Sequence, residues 1–467
     1  MIRFYNTLSG TLEEFRPIRP GKAGIYTCGP TVYDYIHIGN LRAYVFEDLL
    51  SRFLAFEGYE VTHVMNITDV DDKTIKGANA RGVSLGEYTK RFEEGFFEDI
   101  RTMRILPAHV YPKATEHIPD MVRMIKTLMA KGFAYEKDGS VYFSIAKFPS
   151  YGRLAKIHLD DLVAGKRVQS DEYEKESIHD FALWKKKKDG EPSWTTEIGE
   201  GRPGWHIECS AMSSKYLGDS FDIHCGGVDN IFPHHENEIA QSEAASGVKF
   251  VNYWLHCHHL VRDGEKMSKS LGNTLALKDV LEREKDPLVL RFLLLSIHYR
   301  KGLNFTWNAL EQARATRQRL VDFVFELGSR TFPDTENAEI PPLVTRAHDA
   351  FRAGLSDDLN ISSALAALFD FVRTVNTLVS RDGIGARDAA RILGFVRDAD
   401  RVLAVLPEAE VEADSLPPDL ARMIDDREKA RREKNYPLAD ELRQKLLGRG
   451  ISLEDTKDGA RWKRIKK

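Results

Sequence analysis

Cysteine is scarce in this chain, with 4 residues in 467, and no disulfide framework can carry a molecule of that size on so few bridges. No apolar run is long enough to suggest a membrane span. The opening stretch MIRFYNTLSGTLEEF has no charged-then-apolar leader and carries acidic residues foreign to a transit peptide, so a cytoplasmic location is expected. There is no global basic excess, because 67 Lys and Arg stand against 71 Asp and Glu for a formal charge of −4. A protein that coats itself onto nucleic acid through net charge is thereby excluded, although a local basic patch is not. Tandem repeats and low-complexity tracts are also missing. What remains is a multidomain globular chain, 42% apolar.

The rarest short string present is Lys266-Met267-Ser268-Lys269-Ser270. It sets the ammonium groups of Lys266 and Lys269 on a loop between Gly264 and Gly272, suited to closing on a polyphosphate. Read by itself it is a solvated basic loop. Upstream, Gly24-Ile25-Tyr26-Thr27-Cys28 reads as a buried strand, followed by a Gly- and Pro-containing loop and a helix from about Asn40. Phe46, Leu49, Leu50, Phe53 and Leu54 recur at helical spacing and give that helix a face to pack on a sheet. Its N-terminal N–H groups then face the loop, where Gly39 permits close approach and His37 and Asn40 add donors for phosphate. Asn40 serves equally as a plain helix cap.

His234 and Glu238 lie four residues apart and share one face of a helix, as a chelating pair or as an ordinary surface pair. Cys28 and Cys209 complete a thiolate, imidazole and carboxylate set, although their separation in the chain does not show that they meet. A parallel α/β sheet gathers the loops at its C-terminal strand ends and supplies a reason for them to do so. His235, His256, His258 and His259 are decoys or supporting residues, and Cys225 and Cys257 read as small packing residues.

With both short motifs on the page, the chain resembles class I aminoacyl-tRNA synthetases, and within them the cysteinyl-tRNA synthetases. The resemblance rests on CGPTVYDYIHIGNLR from Cys28, GWHIECSAMS from Gly204, DIHCGGVDNIFPHHENEIAQS from Asp222 and GEKMSKSLGN from Gly264, and continues through SDDLNISSALAALFD and ADELRQKLLGRGISLEDT. Asn40 departs from the last His of the class motif, and Cys225 stands where Gly or Thr is more usual, which puts a spare thiol near the proposed metal.

The resemblance implies an α/β fold: a Rossmann-like nucleotide-binding catalytic domain with a connective insertion, followed by α-helical C-terminal domains. The expected divisions are 1–112 and 203–280 for the catalytic halves, 113–202 for the insertion, 281–330 for a helical stem, 343–406 for a helical bundle and 420–467 for a small basic anticodon module. Thr331–Pro342 reads as a loop, and Ala364, Leu365, Leu368, Phe369 and Val372 support the bundle. From Arg427 to Lys467 there are 14 Lys and Arg against 7 Asp and Glu, just after the acidic, Pro-containing segment 408–419. That reversal marks a linker and a basic module, or a solvated helix and tail. Trp462 is a stacking candidate there.

The implied chemistry is ATP-dependent activation of L-cysteine and its transfer to the 2′-hydroxyl of tRNA(Cys). His37, Asn40, Lys266 and Lys269 are the implied catalytic residues, and Gly39, Gly227 and Asp229 join them around ATP, Asp229 at the ribose. Thr68, Trp205 and His224 would line the amino-acid pocket, although Trp205 also reads as a core aromatic and Thr68 as a turn residue. Cys28, Cys209, His234 and Glu238 would hold one Zn2+, and Mg2+ would accompany ATP. Zinc suits the problem, because a pocket resolves serine from cysteine by only ~1–3 kcal/mol, whereas a thiolate is a much better zinc ligand than a hydroxyl. The insertion is also short for an editing domain. A monomer is expected. A ligase joining activated cysteine to an aminosugar is one alternative, disfavoured by the basic C-terminal module; a non-catalytic tRNA-binding paralogue is another, disfavoured by the intact motifs.

Overall fold

The computed structural model describes residues 1–157, 180–267, 272–381, 383–407, 418–456 and 459–464. Ser268, Lys269 and Ser270 therefore lie outside the described residues, as does the side chain of Trp462.

The apolar run after Lys22 forms strand β1 (Lys22–Thr27) and leads through a loop into helix α1 (Ile38–Phe56). This helix starts two residues before the expected Asn40, because His37 rather than Asn40 is its cap. The His37 side chain accepts the Asn40 N–H at 3.3 Å, and the Asn40 side-chain oxygen accepts the His37 N–H at 3.1 Å. Two otherwise orphaned donors are thus satisfied reciprocally. Phe46, Leu49, Leu50, Phe53 and Leu54 are buried, as their spacing requires.

Strand β2 (Glu60–Met65) follows α1; much later come helix α2 (Trp205–Leu217), strand β3 (Phe221–Gly227), helix α3 (Glu236–Ser246) and strand β4 (Val251–Cys257). The strands form one parallel sheet in the order β4-β3-β1-β2. From β1 the chain moves first to one side and later to the other, so a crevice opens beyond the C-terminal ends of β1 and β3, where α/β proteins bind ligands. Cys28 directly follows β1, and Gly227 ends β3.

Alternation along the strands divides the packing. Ile25, Ile223, Cys225 and Leu255 share a core with α1, whereas Tyr26 and Trp254 share one with Ile207 and Met212 of α2 and Ile239 of α3. His224 is paired in register with Tyr26 and Trp254 and faces the second side.

Between β2 and α2, helix Ile118–Ala130 precedes a five-stranded antiparallel sheet, in the order Ala134–Lys137, Ser140–Ser144, Asp180–Lys186, Gly199–Pro203 and Trp194–Thr196. This insertion is fastened to α3: the Glu236 carboxylate accepts N–H groups of Gly152 at 2.7 Å and of Leu154 and Ala155 at 2.9 Å. Beyond β4, Leu260–Arg262 pairs with Glu265–Lys266 on one side and with Leu303–Phe305 on the other, so the stretch expected as a helical stem also contributes a strand.

Helices Pro287–Leu295, Trp307–Ser329, Ile340–Ser356, Ile361–Val379 and Ala386–Leu403 follow. Ile340 begins its helix inside the expected loop. Pro341 and Pro342 are tolerated there because first-turn N–H groups have no intrahelical acceptor. Arg291 is fully buried, paired with Asp48 of α1 and donating to the Leu403 carbonyl at 2.8 Å, which binds the end of the bundle to the helix under the crevice. The chain divides into Met1–Leu406 and Pro407–Lys467. The second unit holds helices Pro418–Arg432 and Tyr436–Gly448 and a hairpin, Ile451–Thr456 with Gly459–Arg464, around Leu420, Ile424, Leu446, Ile451 and Leu453. Among the described residues no helix is long and apolar enough to cross a membrane.

Candidate active site and metal centre

Four segments converge at the crevice. Cys28 comes from the end of β1, Cys209 from the second turn of α2, His234 from the turn entering α3, and Glu238 from its first turn. Their ligand atoms all lie within 4.8 Å of one another. The crossover topology thus brings together two cysteines that sequence spacing leaves far apart. Cys28, His224, His235 and Glu238 satisfy the same proximity, so His235, read from sequence as a decoy or supporting residue, competes with His234 on distance alone.

Composition separates the two sets, since the one with His234 contains both thiols, Cys28 and Cys209, and each imidazole is anchored through Nδ1. His234 Nδ1 lies 2.8 Å from Nδ1 of His206, leaving Nε2 directed at Glu238 Oε1 3.1 Å away. One ring nitrogen anchored and the other aimed inward is how a metal-binding imidazole is held. His235 Nδ1 is bonded to His256 Nε2 at 2.8 Å, and His256 Nδ1 to Thr7 Oγ1 at 2.8 Å; the remaining His235 nitrogen lies 3.2 Å from Cys28 Sγ. His224 is fully buried, stacked on Trp254, with Nε2 3.0 Å from Glu238 Oε2. It holds one carboxylate oxygen, while Oε1, 3.1 Å from His234 Nε2, faces the cluster. Trp205 stacks on His234 with centroids 4.1 Å apart. Cys225 is turned to the opposite face of the sheet by strand alternation, so the spare thiol near the metal expected from sequence is not there.

Electrostatics suit a divalent cation. Burial opposes charge at His234, but Cys209 and Glu238 outweigh it and hold the imidazole up to about 10. Burial also opposes ionisation of Glu238, yet His224 and His234 bring it down to about 2. The hydrogen bond from Cys28 lowers Cys209 to about 6, while burial and that same thiolate push Cys28 up. A proton on His234 thus stands in for a metal among ionised sulfur and oxygen ligands. The donors are two thiols, an imidazole and a carboxylate, a mixture that fits zinc better than a hard cation.

The α1 N-terminus lies at the same strand ends. Because His37 Nδ1 accepts, the ring proton resides on Nε2; because Asn40 Oδ1 accepts, its amide presents N–H groups. Both residues therefore offer donors at the α1 N-terminus, where an anion is favoured. The Ile38 N–H donates to the Leu275 carbonyl at 2.9 Å, and a side chain on Gly39 would approach Met267 Cε at 3.1 Å, so this turn touches the segment containing Lys266. Lys266 is exposed, and Lys269 lies outside the described residues. Across the crevice Gly227 and the exposed Asp229 end β3.

Thr68 sits at the floor, fully enclosed. Its hydroxyl donates to Glu208 Oε2 at 3.0 Å and receives the Asn66 amide at 3.1 Å, while Asn66 Oδ1 accepts the Gly29 N–H at 3.0 Å. Gly29 admits no side chain, since a Cβ would meet the Asn66 carbonyl at 1.7 Å. His206, Glu208 and Asn66 went unnoticed in the sequence, where the sole cue was their position beside Trp205, Cys209 and Thr68.

Comparison with known proteins agrees with this geometry. Residues 14–315 match the class I (C) tRNA synthetase catalytic domain, 350–406 a DALR domain and 413–462 the cysteinyl-tRNA ligase anticodon binding domain. The cysteine–tRNA ligase of Protochlamydia amoebophila (strain UWE25) is 49% identical over 469 residues, covering 99% of this chain and 98% of that one. That of Brachyspira hyodysenteriae (strain ATCC 49526 / WA1) is 48% identical, covering 99% of both. Among solved structures, Mycobacterium tuberculosis methionyl-tRNA synthetase in complex with methionyl-adenylate matches with a TM-score of 0.59 at 16% identity, over 82% of this chain and 90% of that one; at that identity the likeness speaks for the fold. Full-length identity of this order, together with the matched anticodon domain, leaves one assignment: the chain belongs to the cysteine–tRNA ligase family of class I aminoacyl-tRNA synthetases.

Proposed function

We propose that the chain activates L-cysteine with ATP to cysteinyl-adenylate and transfers the cysteinyl group to the 2′-hydroxyl of the terminal adenosine of tRNA(Cys). The observation that carries this reading is the convergence of Cys28, Cys209, His234 and Glu238 within 4.8 Å at the crevice that also holds the His37–Asn40 turn. These four residues would hold Zn2+, since their soft and borderline donors fit it and lie within 4.8 Å of one another. When bound, zinc supplies a Lewis-acidic centre that favours the substrate sulfur as thiolate.

The substrate carboxylate attacks the α-phosphorus of ATP, the α–β anhydride bond breaks and pyrophosphate leaves. His37 Nε2–H, the Asn40 amide, Lys266 and Lys269 stabilise charge on the phosphates, so catalysis is positional and electrostatic. Gly39 and Gly227 let backbone approach the nucleotide, Asp229 accepts from the ribose, and Mg2+ accompanies the polyphosphate. Thr68 and Trp205 border the amino acid, and His224 fixes Glu238. Residues 1–112 and 203–280 form the catalytic halves, 113–202 the insertion, 281–330 the stem, 343–406 the bundle and 420–467 the anticodon module. Each chain carries a complete site, so a monomer suffices, and four free cysteines suit the reducing cytoplasm. The matched anticodon domain speaks against an aminosugar acceptor.

The test is amino-acid-dependent ATP–pyrophosphate exchange followed by tRNA charging. Cysteine is expected to outperform serine by more than the roughly 200-fold that a pocket alone achieves. Equal exchange with serine, or exchange without charging of tRNA(Cys), would overturn the reading. A narrower expectation concerns Gly39→Ala, whose Cβ would stand 2.9 Å from the His37 ring and 3.1 Å from Met267 Cε. Displacing these by a few tenths of an ångström should slow exchange about tenfold, with tRNA binding in a filter assay unaltered; a full-rate variant would show that the close approach is dispensable.

A further inference from the structure

Helix α2 brings Trp205, Glu208 and Cys209 to one side of itself, three and four residues apart. Cys209 faces the metal-ligand cluster, and the neighbouring Glu208 carboxyl reaches Thr68 at the end of β2. Glu208 is 1% exposed; Oε2 accepts the Thr68 hydroxyl at 3.0 Å, and Oε1 is buried with no hydrogen-bond partner. A carboxylate oxygen left in this state costs free energy unless a ligand supplies the donor. Thr68 carries a related imbalance. Its one proton is committed to Glu208 and one lone pair to Asn66, so what it can still offer is a second lone pair. Both groups are acceptors, and they border the same floor.

The substrate of the proposed reaction presents three polar groups to the pocket. The sulfur belongs with Cys28, Cys209, His234 and Glu238, and the carboxylate must face the α-phosphorus. The α-ammonium remains, separated from the sulfur by two carbons and carrying three N–H donors and a positive charge. Its complement is a buried carboxyl oxygen without a donor, one residue along from a sulfur ligand, with a hydroxyl lone pair beside it. We propose that Glu208 is the specificity-determining residue for the α-ammonium of the amino acid, accepting from it through Oε1 and orienting Thr68 to accept a second N–H. This inference rests on the proposed function, since it assumes that cysteine is the occupant.

The experiment compares L-cysteine with 3-mercaptopropionate, which keeps the thiol and the carboxylate and lacks the amine, as ligands of the full-length zinc-loaded chain. Glu208→Gln keeps the volume and an acceptor for the Thr68 hydroxyl but replaces the second acceptor oxygen with an amide NH2 that can only donate. Its Kd for cysteine is expected to rise roughly 10- to 100-fold, the scale of hydrogen bonds to a charged group, while that for 3-mercaptopropionate changes by less than about twofold. A purely structural role would weaken both ligands alike, and that result, or an unchanged Kd for cysteine, would overturn the proposal. Should the Gln variant lose its zinc or its fold, Thr68→Val reads the same subsite: loss confined to cysteine supports the inference and equal loss overturns it. Failure of the wild-type chain to bind either thiol would strike at the proposed function itself, which keeps that outcome distinct from a failure of the ammonium subsite alone.

Discussion

Cys209→Ala is expected to fold, to lose its zinc and to lose cysteine-dependent pyrophosphate exchange by roughly 10³-fold, the equivalent of the several kcal/mol that a metal contributes to a site. Alanine is the strongest helix former and sits comfortably in α2, so circular dichroism should be unchanged. With one thiolate gone, His234 loses the larger of the two interactions that hold its proton while Glu238 keeps His224 and His234 beside it, which leaves an incomplete ligand set. The same logic predicts how the wild-type chain takes up metal. His234 is held up to about 10, so throughout the neutral range a proton occupies the nitrogen that a metal needs. Metal uptake must then release protons, and apparent affinity should weaken as pH falls, about tenfold per unit for each proton displaced. Titration in two buffers of different ionisation enthalpy reads this directly. Metal analysis showing a fully active, zinc-free preparation would remove the metal from the mechanism altogether.

A chain ending at Leu406 should form cysteinyl-adenylate at close to the full rate while charging tRNA(Cys) roughly 100-fold less efficiently, the loss expected from about two base contacts. Every residue assigned to the chemistry lies within Met1–Leu406, a compact unit of its own. The cut also spares the anchorage of the last bundle helix, whose Leu403 and Val405 carbonyls are held by Arg291 and Arg317. What is removed is the region matching the anticodon binding domain, where 14 Lys and Arg lie between Arg427 and Lys467. Without these cations the salt dependence of tRNA binding should flatten, by about 0.7 to 0.9 in slope for each phosphate no longer neutralised. Charging that survives the cut undiminished would show that this region does not read tRNA.

The reaction class was legible in the sequence because its carriers are local. The turn around Gly39, the strand–loop–helix pattern that contains it and the Lys266–Ser270 string each depend on neighbours within a few residues. One local expectation differs from the structure: α1 starts at Ile38 instead of Asn40, because His37 and Asn40 cap each other and Asn40 is not a lone cap. Likewise the four-residue step from His234 to Glu238 suffices to put both on one side of the turn and helix that carry them.

Other decisions belonged to the tertiary structure. That Cys28 and Cys209 meet follows from the strand order β4-β3-β1-β2, which places the loop after β1 beside α2; local periodicity carries no information about which strands become neighbours. His234 and His235 are adjacent and chemically identical, each anchored through Nδ1 by a histidine of another segment, and only the packed structure shows that His234 is the one grouped with both Cys28 and Cys209. Cys225 turned away from the Cys28, Cys209, His234 and Glu238 cluster because strand alternation assigns His224 and Cys225 to opposite faces, and only the packed sheet shows which face holds which helices. Glu208 gained meaning only once Thr68 from another strand end had satisfied one of its oxygens and burial had isolated the other. Residue types and short spacings by themselves determined the chemistry available to this protein. The pairing of distant segments, driven by burial of the two sheet faces and by the demand that enclosed polar groups find partners, decided which residues face the site.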